Sequence, residues 1–390
     1  DSWFLPFDKG YNDGAGNPPN PNGIMTDYLW KDILTKEKLT LIIENYAQVV
    51  VEVDEDTKKK KEKQIFPRYH QLDVVTKLLA DVKTNGVGKK YLIQHSAGSG
   101  KSNSIAWLAH QLIGLVQDGR PMLDSVIVVT DRRILDKQIR DTIKQFMQVG
   151  NTVAWAEHSS DLTKAITDGK RIIVTTIEKF PYIVPQIGAE HKDNHFAIII
   201  DEAHSGQSGR NSAQMNLALS GLASDDEMDN EDKINAMMEG RKLLNNASYF
   251  AFTATPKNKT LETFGVPYQD GDDVKHRPFH VYTMKQAIQE GFILDVLQYY
   301  TPIDSFYKLM KTVEDDPMFD KKRAQKKLCS FVESDSYTIA KKAAMMVDHF
   351  HEQVIAKGKI GGQARAMVVT SSIPRCIEYY YAINKCLADR

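Results

Sequence analysis

From Gln64 onward, short apolar segments alternate with longer stretches that have helical periodicity. The apolar segments contain little polar alternation, which indicates strands buried on both faces, as in a parallel sheet. The helical stretches supply the crossovers that parallel strands require. The predicted strands are YLIQ (91–94), SVIVVT (125–130), TVAWA (152–156), RIIVTT (171–176), FAIIID (196–201) and SYFAFTAT (248–255). We therefore predict an α/β fold with a doubly wound parallel sheet.

The length of 390 residues is enough for two hydrophobic cores. A second α/β unit is indicated near the end, where the apolar segment RAMVVTSS leads into the helical pattern RCIEYYYAINKCL. We expect residues 1–63 to be an amino-terminal extension with a basic linker. Residues 64–265 should form the first domain, with an acidic insert at 205–247 that we interpret as an exposed loop or a tether to a partner. Residues 266–390 should form a connector and the first part of a second domain.

The amino-terminal region shows three compositional changes. Residues 1–23 are rich in Gly, Pro and Asn and should be irregular, and residues 24–53 contain one helical pattern. The segment EDTKKKKEK at 55–63 then follows. A run of lysines can bind phosphates, but a solvated linker is the favoured interpretation.

Composition excludes several classes of protein. Hydrophobic residues are 42% and charged residues 26% of the chain, as in soluble globular proteins, and the formal net charge of −1 gives no overall argument for nucleic acid. No apolar run approaches the ~20 residues of a membrane helix. The first residues do not resemble a signal peptide, and three cysteines lack metal or redox spacing. We expect a cytoplasmic protein without a membrane association.

The segment HSAGSGKS (95–102) lies between a predicted strand and a helical stretch. It fits the phosphate-loop pattern G-x-x-x-x-G-K-[ST], except that His95 replaces the first glycine. Backbone N–H groups would surround the phosphates, Lys101 would neutralise them, and Ser102 would hold Mg²⁺. The alternative is a glycine turn with an incidental lysine. Upstream, in FPRYHQLDVV, the Gln71 amide can read the edge of adenine and Arg68 can stack on the base or contact phosphate. The predicted ATP-binding residues are Arg68, Gln71, Gly98, Ser99, Gly100, Lys101 and Ser102.

The segment FAIIIDEAH (196–204) supplies an acidic pair after a buried strand. Ligands gather at the carboxyl ends of parallel strands, so Asp201 is predicted to hold Mg²⁺ together with Ser102. Glu202 would orient and deprotonate the attacking water, and Lys101, Asp201 and Glu202 form the predicted catalytic set. The alternative is an acidic turn at a strand end. In SYFAFTATP the two threonines follow another strand, and we predict coupling roles for His204, Thr253 and Thr255. The alternative for the threonines is simple β propensity.

The order of these motifs resembles that of superfamily-2 helicases, through RYHQ, AGSGKS, VVTDRRIL, VTTIEKF, DEAH, TATP and the late VVTSS. The opening segment DSWFLPFDKGYNDGAGNPPNPNG and KQAIQEGFILDVLQYYTPI narrow the resemblance to the restriction (motor) subunit of type I restriction–modification enzymes. The resemblance implies RecA-like motor domains that hydrolyse ATP with Mg²⁺ to pump duplex DNA. It also implies a separate nuclease domain and partner subunits for methylation and specificity. Segments around Thr130, Arg132, Thr175 and Thr176 would contact DNA phosphates, without reading sequence.

This sequence departs from the family pattern in two respects. The three-residue nuclease signature (D/E)-x-K occurs at several positions, including Asp56–Lys58, Asp81–Lys83 and Asp273–Lys275, but none of these three follows a buried strand with a preceding acid. We interpret these matches as chance and expect the nuclease domain outside the chain. The later motifs of the second motor domain are not found either, so we expect the 390 residues to bind nucleotide and to hydrolyse it slowly alone.

Two alternative functions remain open from the residues. One is another superfamily-2 DNA helicase or remodeller, and the other is a nucleotide-switched DNA-binding scaffold without turnover. The sequence does not indicate the DNA recognition sequence, the role of the acidic insert or the subunit stoichiometry.

Overall fold

The computed structural model describes residues 5–53, 60–130, 143, 153–156, 159–176, 193–201, 246–295, 336–358 and 364–389. The helices are α1 (Lys36–Asn45), α2 (Tyr69–Asn85), α3 (Lys101–Ile113), α4 (Ser159–Thr167), α5 (Asn258–Phe264), α6 (Met284–Gln289), α7 (Ser336–Phe350) and α8 (Ile373–Ala388), with π-helical turns at Leu29–Ile33 and His351–Ile355. The strands are β1 (Gln48–Val53), β2 (Lys60–Ile65), β3 (Lys90–His95), β4 (Val116–Gln117), β5 (Arg120–Pro121), β6 (Ser125–Thr130), β7 (Val153–Trp155), β8 (Ile172–Thr176), β9 (Phe196–Asp201), β10 (Ala247–Thr253), β11 (Val266–Asp270), β12 (Asp273–Arg277) and β13 (His280–Tyr282).

The central sheet has seven strands among the described residues, in the order β13-β3-β10-β9-β6-β8-β7. Every neighbouring pair in it is parallel. The six strands predicted from apolar segments are all present, and the predicted α/β fold with a parallel sheet is confirmed. Because the strands run in one direction, their carboxyl ends lie along one edge, which is where such sheets bind ligands.

Burial on both faces of the sheet explains why its strands are continuous apolar runs. Successive strand side chains point to opposite faces, so Val126 and Val128 belong to one core cluster while Ile127 and Val129 belong to the other. Helices α2 and α3 cover the first face, and α4 and α5 cover the second. The largest side chain of the first core is Trp107, whose Nε1 donates to the Tyr46 carbonyl at 3.1 Å, so its polar atom is satisfied in the interior.

The edge strand β13 was not predicted from the sequence. It pairs with β3 in parallel, with Tyr282 opposite His95. Helix α6 begins directly after it, where the Thr283 hydroxyl accepts from the Gln286 N–H at 3.0 Å and caps the helix. This strand and helix therefore extend the sheet beside the loop that follows β3.

Residues 5–23, which we call the amino-terminal arm, are mostly irregular, as predicted. The arm packs on α6 and its cap: the Thr283 hydroxyl donates to the Asp13 carbonyl at 2.6 Å, and the Ala15 N–H donates to Gln289 Oε1 at 2.7 Å. Gly10 has φ +84°, and a Cβ there would lie 2.7 Å from the Gln286 amide oxygen. A glycine is needed at this position because the arm and α6 approach so closely.

The single helical pattern expected over residues 24–53 is only partly right. Helix α1 ends at Asn45, and β1 follows and pairs with β2 in an antiparallel ribbon with Val50 opposite Lys63. The valine-rich sequence of β1 favours a strand because β-branched side chains fit a pleated surface. Part of the expected lysine linker, residues 60–63, is therefore strand, while residues 54–59 lie outside the described part of the chain.

The chain divides into two compact units, residues 1–299 and 300–390. In the second unit the helix predicted after residue 371 is confirmed as α8, whose cap is Ser372. The strand expected at RAMVVTSS is not present: residues 364–370 have no regular structure, and Met367 and Val369 are 87% and 84% exposed. A strand needs a neighbouring backbone to pair with, and none of the described residues supplies one. Among those residues no helix is long and apolar enough to cross a membrane.

Candidate nucleotide-binding site

The segment between β3 and α3 has the geometry of a phosphate-binding loop. Strand β3 ends at His95 and α3 begins at Lys101. Gly98 and Gly100 have φ of +73° and +77°, which residues with a Cβ rarely adopt. The Ser99 N–H donates to the Ser96 carbonyl at 3.3 Å and closes the turn. The strand, the glycine turn and the helix are thus in the order that the sequence predicts.

Lys101 and Ser102 occupy the first turn of α3, where the partial positive charge of the helix end favours a phosphate. The Lys101 ammonium group donates to the carbonyls of His95 and Ser96, each at 3.4 Å. It therefore lies across the beginning of the loop, and the lysine assigned from sequence to phosphate neutralisation is already at the loop.

Three side chains at the beginning of α2 contact the backbone carbonyl groups of the loop. The Arg68 guanidinium donates to the Gly98 carbonyl at 3.1 Å, and the His70 ring nitrogen Nε2 lies 2.9 Å from the Ser99 carbonyl. The Gln71 amide donates to the carbonyls of Ser99 and Gly100 at 3.2 and 3.0 Å. The Gln71 amide oxygen accepts from the Arg68 N–H at 2.9 Å. Gln71 is 2% exposed, and in this structure its amide contacts the loop; adenine reading stays a prediction.

Residues after α6 cover another side of the loop. The Arg68 guanidinium lies over the ring of Phe292, 3.5 Å from its centroid, within the range of a cation–π contact. The Ile293 side chain packs against Gly98, where an added Cβ would overlap it. The segment EGFI, which the sequence analysis used only for the family resemblance, therefore contributes to the wall of the site.

The acidic residue Asp201 lies at the end of β9 and is 5% exposed. Only β10 separates β9 from β3, so Asp201 lies about two strand spacings, roughly 10 Å, from the strand that leads into the loop. The Ser102 hydroxyl and the Asp201 carboxylate are hard oxygen ligands at one edge of the sheet, which is the chemistry that Mg²⁺ prefers. Glu202 and His204 lie outside the described residues.

The threonines predicted to have coupling or DNA-contact roles end three strands at the same edge. Thr253 is fully buried at the end of β10, and Thr255 is exposed two residues later. Thr130 lies opposite Thr176 at the ends of β6 and β8, and the Thr130 hydroxyl donates to the Thr175 carbonyl at 3.4 Å. Thr130, Thr175 and Thr176 are all buried, and their contact with DNA stays a prediction. Arg132 lies outside the described part.

A partly buried series of hydrogen-bonded polar side chains was not predicted from the sequence. His95 is fully buried, and its Nε2 lies 2.8 Å from Nδ1 of His280, whose Nε2 lies 2.9 Å from an oxygen of Asp73. A carboxylate only accepts, so Nε2 of His280 carries hydrogen, and a neutral His280 accepts from His95 at Nδ1. Burial raises the pKa of Asp73, but hydrogen bonds from His280 and Lys77 outweigh it and lower that pKa. These hydrogen bonds hold the ring of His95, the residue that replaces the first glycine of the phosphate-loop pattern.

The free energy of unfolding should depend on pH because two histidines, His70 and His95, are buried. Desolvation lowers the pKa of His70 to about 3 and holds the pKa of His95 well below 6.5. Below pH 6.5 the unfolded chain binds protons that the folded chain does not, so the free energy of unfolding should fall as the pH is lowered. Each histidine contributes a slope that approaches about 1.4 kcal/mol per pH unit well below pH 6.5.

Urea denaturation at about pH 7 and pH 5.5 measures this slope. The variant His70→Gln has no titrating group at that position, so its loss of unfolding free energy between pH 7 and pH 5.5 should be smaller by about 1 kcal/mol. Groups such as Glu290, whose pKa is raised mainly by burial, act equally on both proteins and cancel in the comparison. Equal slopes would contradict a buried, neutral His70.

A parallel α/β sheet with a phosphate-binding loop after one strand and a buried acid two strands away defines a P-loop nucleotide-binding protein. The family model of the SWI2/SNF2 ATPases matches residues 70–327, more than half of the sequence, and the chain belongs to that family.

Curated relatives are endonuclease subunits of type I restriction enzymes. One from Staphylococcus saprophyticus is 25% identical over 328 residues, which cover 82% of this chain and 29% of that protein. One from Methanocaldococcus jannaschii is 27% identical over 321 residues, covering 75% of this chain and 25% of that protein. The chain thus spans less than a third of the length of these relatives. The resemblance to type I restriction motor subunits stated from the motifs is confirmed.

Among solved structures, a fragment of an HsdR subunit of a type I restriction enzyme from Vibrio vulnificus matches with a TM-score of 0.45 and 14% identity. The match covers 94% of this chain and 61% of that one.

Proposed function

We propose that this chain is the ATP-driven motor part of a type I restriction endonuclease subunit. It would hydrolyse ATP with Mg²⁺ in the cytoplasm and pump duplex DNA toward a nuclease domain that lies outside the chain. Methylation and specificity subunits would be its partners. The first motor domain would comprise residues 64–265, and residues 266–390 would be the connector and the first part of the second. The observation that carries the proposal is the phosphate loop after β3 with Asp201 at the same edge of the sheet.

Different residues would bind the phosphates, Mg²⁺ and the base of ATP. The N–H groups of the loop and the beginning of α3 would bind the phosphates, and Lys101 would exchange its hydrogen bonds to His95 and Ser96 for the β- and γ-phosphate oxygens. Ser102 and Asp201 would hold Mg²⁺, which, when bound, supplies positive charge to the phosphate oxygens. Arg68 and Gln71 would lie nearest the base.

Hydrolysis needs a group that activates water, and Glu202 follows the Mg²⁺-binding acid directly. It would accept a proton from the attacking water as the bond to the γ-phosphate breaks. A nucleotide-switched scaffold has no use for such a carboxylate, which favours an enzyme. Another superfamily-2 helicase or remodeller would use the same residues, so only the partners and the nuclease distinguish it from a restriction motor.

Calorimetry of the chain with ATP and Mg²⁺ tests the nucleotide site, and we expect one ATP bound per chain. Duplex DNA should bind without sequence preference, and its affinity should fall steeply with salt because phosphate contacts release counterions. Copurification with the methylation and specificity subunits would distinguish a restriction motor from a remodeller. Absence of ATP binding would refute the proposed function, and binding of ATP without partner subunits would favour the remodeller.

A further inference from the structure

His70 contacts the phosphate loop from the α2 side, and no role was assigned to it from the sequence. Its Nε2 lies 2.9 Å from the Ser99 carbonyl. A carbonyl oxygen only accepts, so Nε2 carries the hydrogen and donates it. The ring is 5% exposed and stacks on Tyr282, with ring centroids 3.7 Å apart and an angle of 17° between the planes. His70 is therefore fixed in one orientation.

The Ser99–Gly100 peptide is the group that His70 holds. The peptide is trans, as are all the described peptide bonds, so its carbonyl and its N–H point in opposite directions. Since His70 holds the carbonyl on the α2 side, the Gly100 N–H points to the other side. Gly98 and Gly100 have positive φ and Ser99 does not, an alternation that brings successive N–H groups together into an anion-binding concavity.

Tyr282 connects this contact to the rest of the loop. Its carbonyl accepts from the Ser96 N–H at 3.0 Å, and its hydroxyl donates to Glu290 at 2.6 Å. The residue that stacks on His70 therefore also holds the beginning of the loop, so the loop is supported at two points by the edge strand β13. The other donors on this side have different main partners: Arg68 bonds to Gly98, and Gln71 reaches the Ser99 carbonyl only at 3.2 Å.

We propose that His70 is a positioning residue for the phosphate loop, whose Nε2–H fixes the Ser99–Gly100 peptide so that the Gly100 N–H faces the nucleotide phosphates. The inference rests on the proposed nucleotide site, and it adds a residue that touches no nucleotide itself. Loss of the donor would leave the loop free to rotate this peptide, and the site would lose one of its phosphate donors.

The variant His70→Phe removes the donor and keeps a flat ring that can stack on Tyr282. We expect its affinities for ATP and for inorganic tripolyphosphate, measured by calorimetry, to fall alike by about ten-fold, because the lost interaction concerns the phosphates. Without any nucleotide, amide hydrogen exchange in residues 96–102 should become faster in the same variant, because the peptide is no longer held.

Two further variants make the result specific. His70→Gln places an amide donor near the position of Nε2 and should restore both affinities to within about three-fold of the unmodified chain, and it should restore the exchange rates. His195→Phe changes an exposed histidine just before β9, at the opposite edge of the sheet, and should alter neither measurement.

Each outcome either supports or refutes the positioning role of His70. If His70→Phe binds tripolyphosphate normally and its loop exchanges at the original rate, or if His70→Gln is as defective as His70→Phe, the positioning role is refuted. If the unmodified chain binds neither ATP nor tripolyphosphate, the proposed function fails. In that case the exchange rates of the two variants, measured without nucleotide, still support or overturn the positioning role.

Discussion

Replacing Lys101 with alanine is expected to abolish ATP-driven translocation while leaving duplex binding nearly unchanged. The ammonium group lies at the phosphate loop, with hydrogen bonds to the carbonyls of His95 and Ser96, and in the proposed function it would be the positive charge beside the β- and γ-phosphates. Removal of one such preorganised group costs roughly 10²–10³ in turnover. Contacts to DNA would come from other segments, at the carboxyl ends of β6 and β8. The affinity for duplex should therefore change by less than about two-fold.

ATP-dependent displacement of a DNA triplex by the full-length subunit in its complex, together with a gel-shift titration of duplex, separates the two effects. The matched control is Lys83→Ala, which removes an exposed lysine from the last turn of α2 and should change neither result. An equal loss of translocation and duplex binding in Lys101→Ala would mean that the roles assigned to the loop and to the DNA-contact segments are wrong.

Replacing Glu202 with glutamine should trap ATP. The amide has nearly the shape of the carboxylate but cannot accept a proton from water, so hydrolysis should fall by roughly 10²–10⁴. ATP affinity should be preserved, because Lys101, Ser102 and Asp201 would still bind the phosphates and Mg²⁺.

Single-turnover hydrolysis and retention of labelled ATP measure the two properties in the presence of duplex DNA. Glu262→Gln, on the exposed side of α5, is the control with the same chemical change. Hydrolysis by Glu202→Gln at the original rate would exclude this residue as the base, whereas ATP binding without hydrolysis in the unmodified chain and the variant alike would favour the nucleotide-switched scaffold.

The central strands could be predicted from sequence because burial on both faces leaves a continuous apolar run. Each of β6, β8, β9 and β10 is buried along its whole length, and none needs a distant partner to be recognised. The phosphate loop, Gly98 to Ser102, could be predicted equally well. Its glycines, lysine and serine are consecutive in the sequence, so no distant contact is needed to recognise it.

Strand β13 and the residues it supports could not be predicted in this way. His280–Tyr282 is three residues long, with only Tyr282 buried, so it has no periodic pattern. Its pairing with β3, and hence the contacts of Tyr282 with His70 and of His280 with His95, join positions about 185–210 residues apart. The opposite error occurred at residues 364–370, where an apolar sequence with strand propensity forms no strand because propensity alone does not supply pairing.

The hydrogen bonds between the amino-terminal arm and α6 have a consequence for biosynthesis. They join residues separated by 270 to 274 positions, so the arm, once translated, must wait for residues 283–289 before these bonds can form. The aromatic contacts of Phe7 and Tyr28 with Tyr69 span a much shorter stretch and can form far earlier in translation. Phe7 can therefore hold the arm near its final position first, and the backbone of the arm is fixed only when a further 270 to 274 residues have been made.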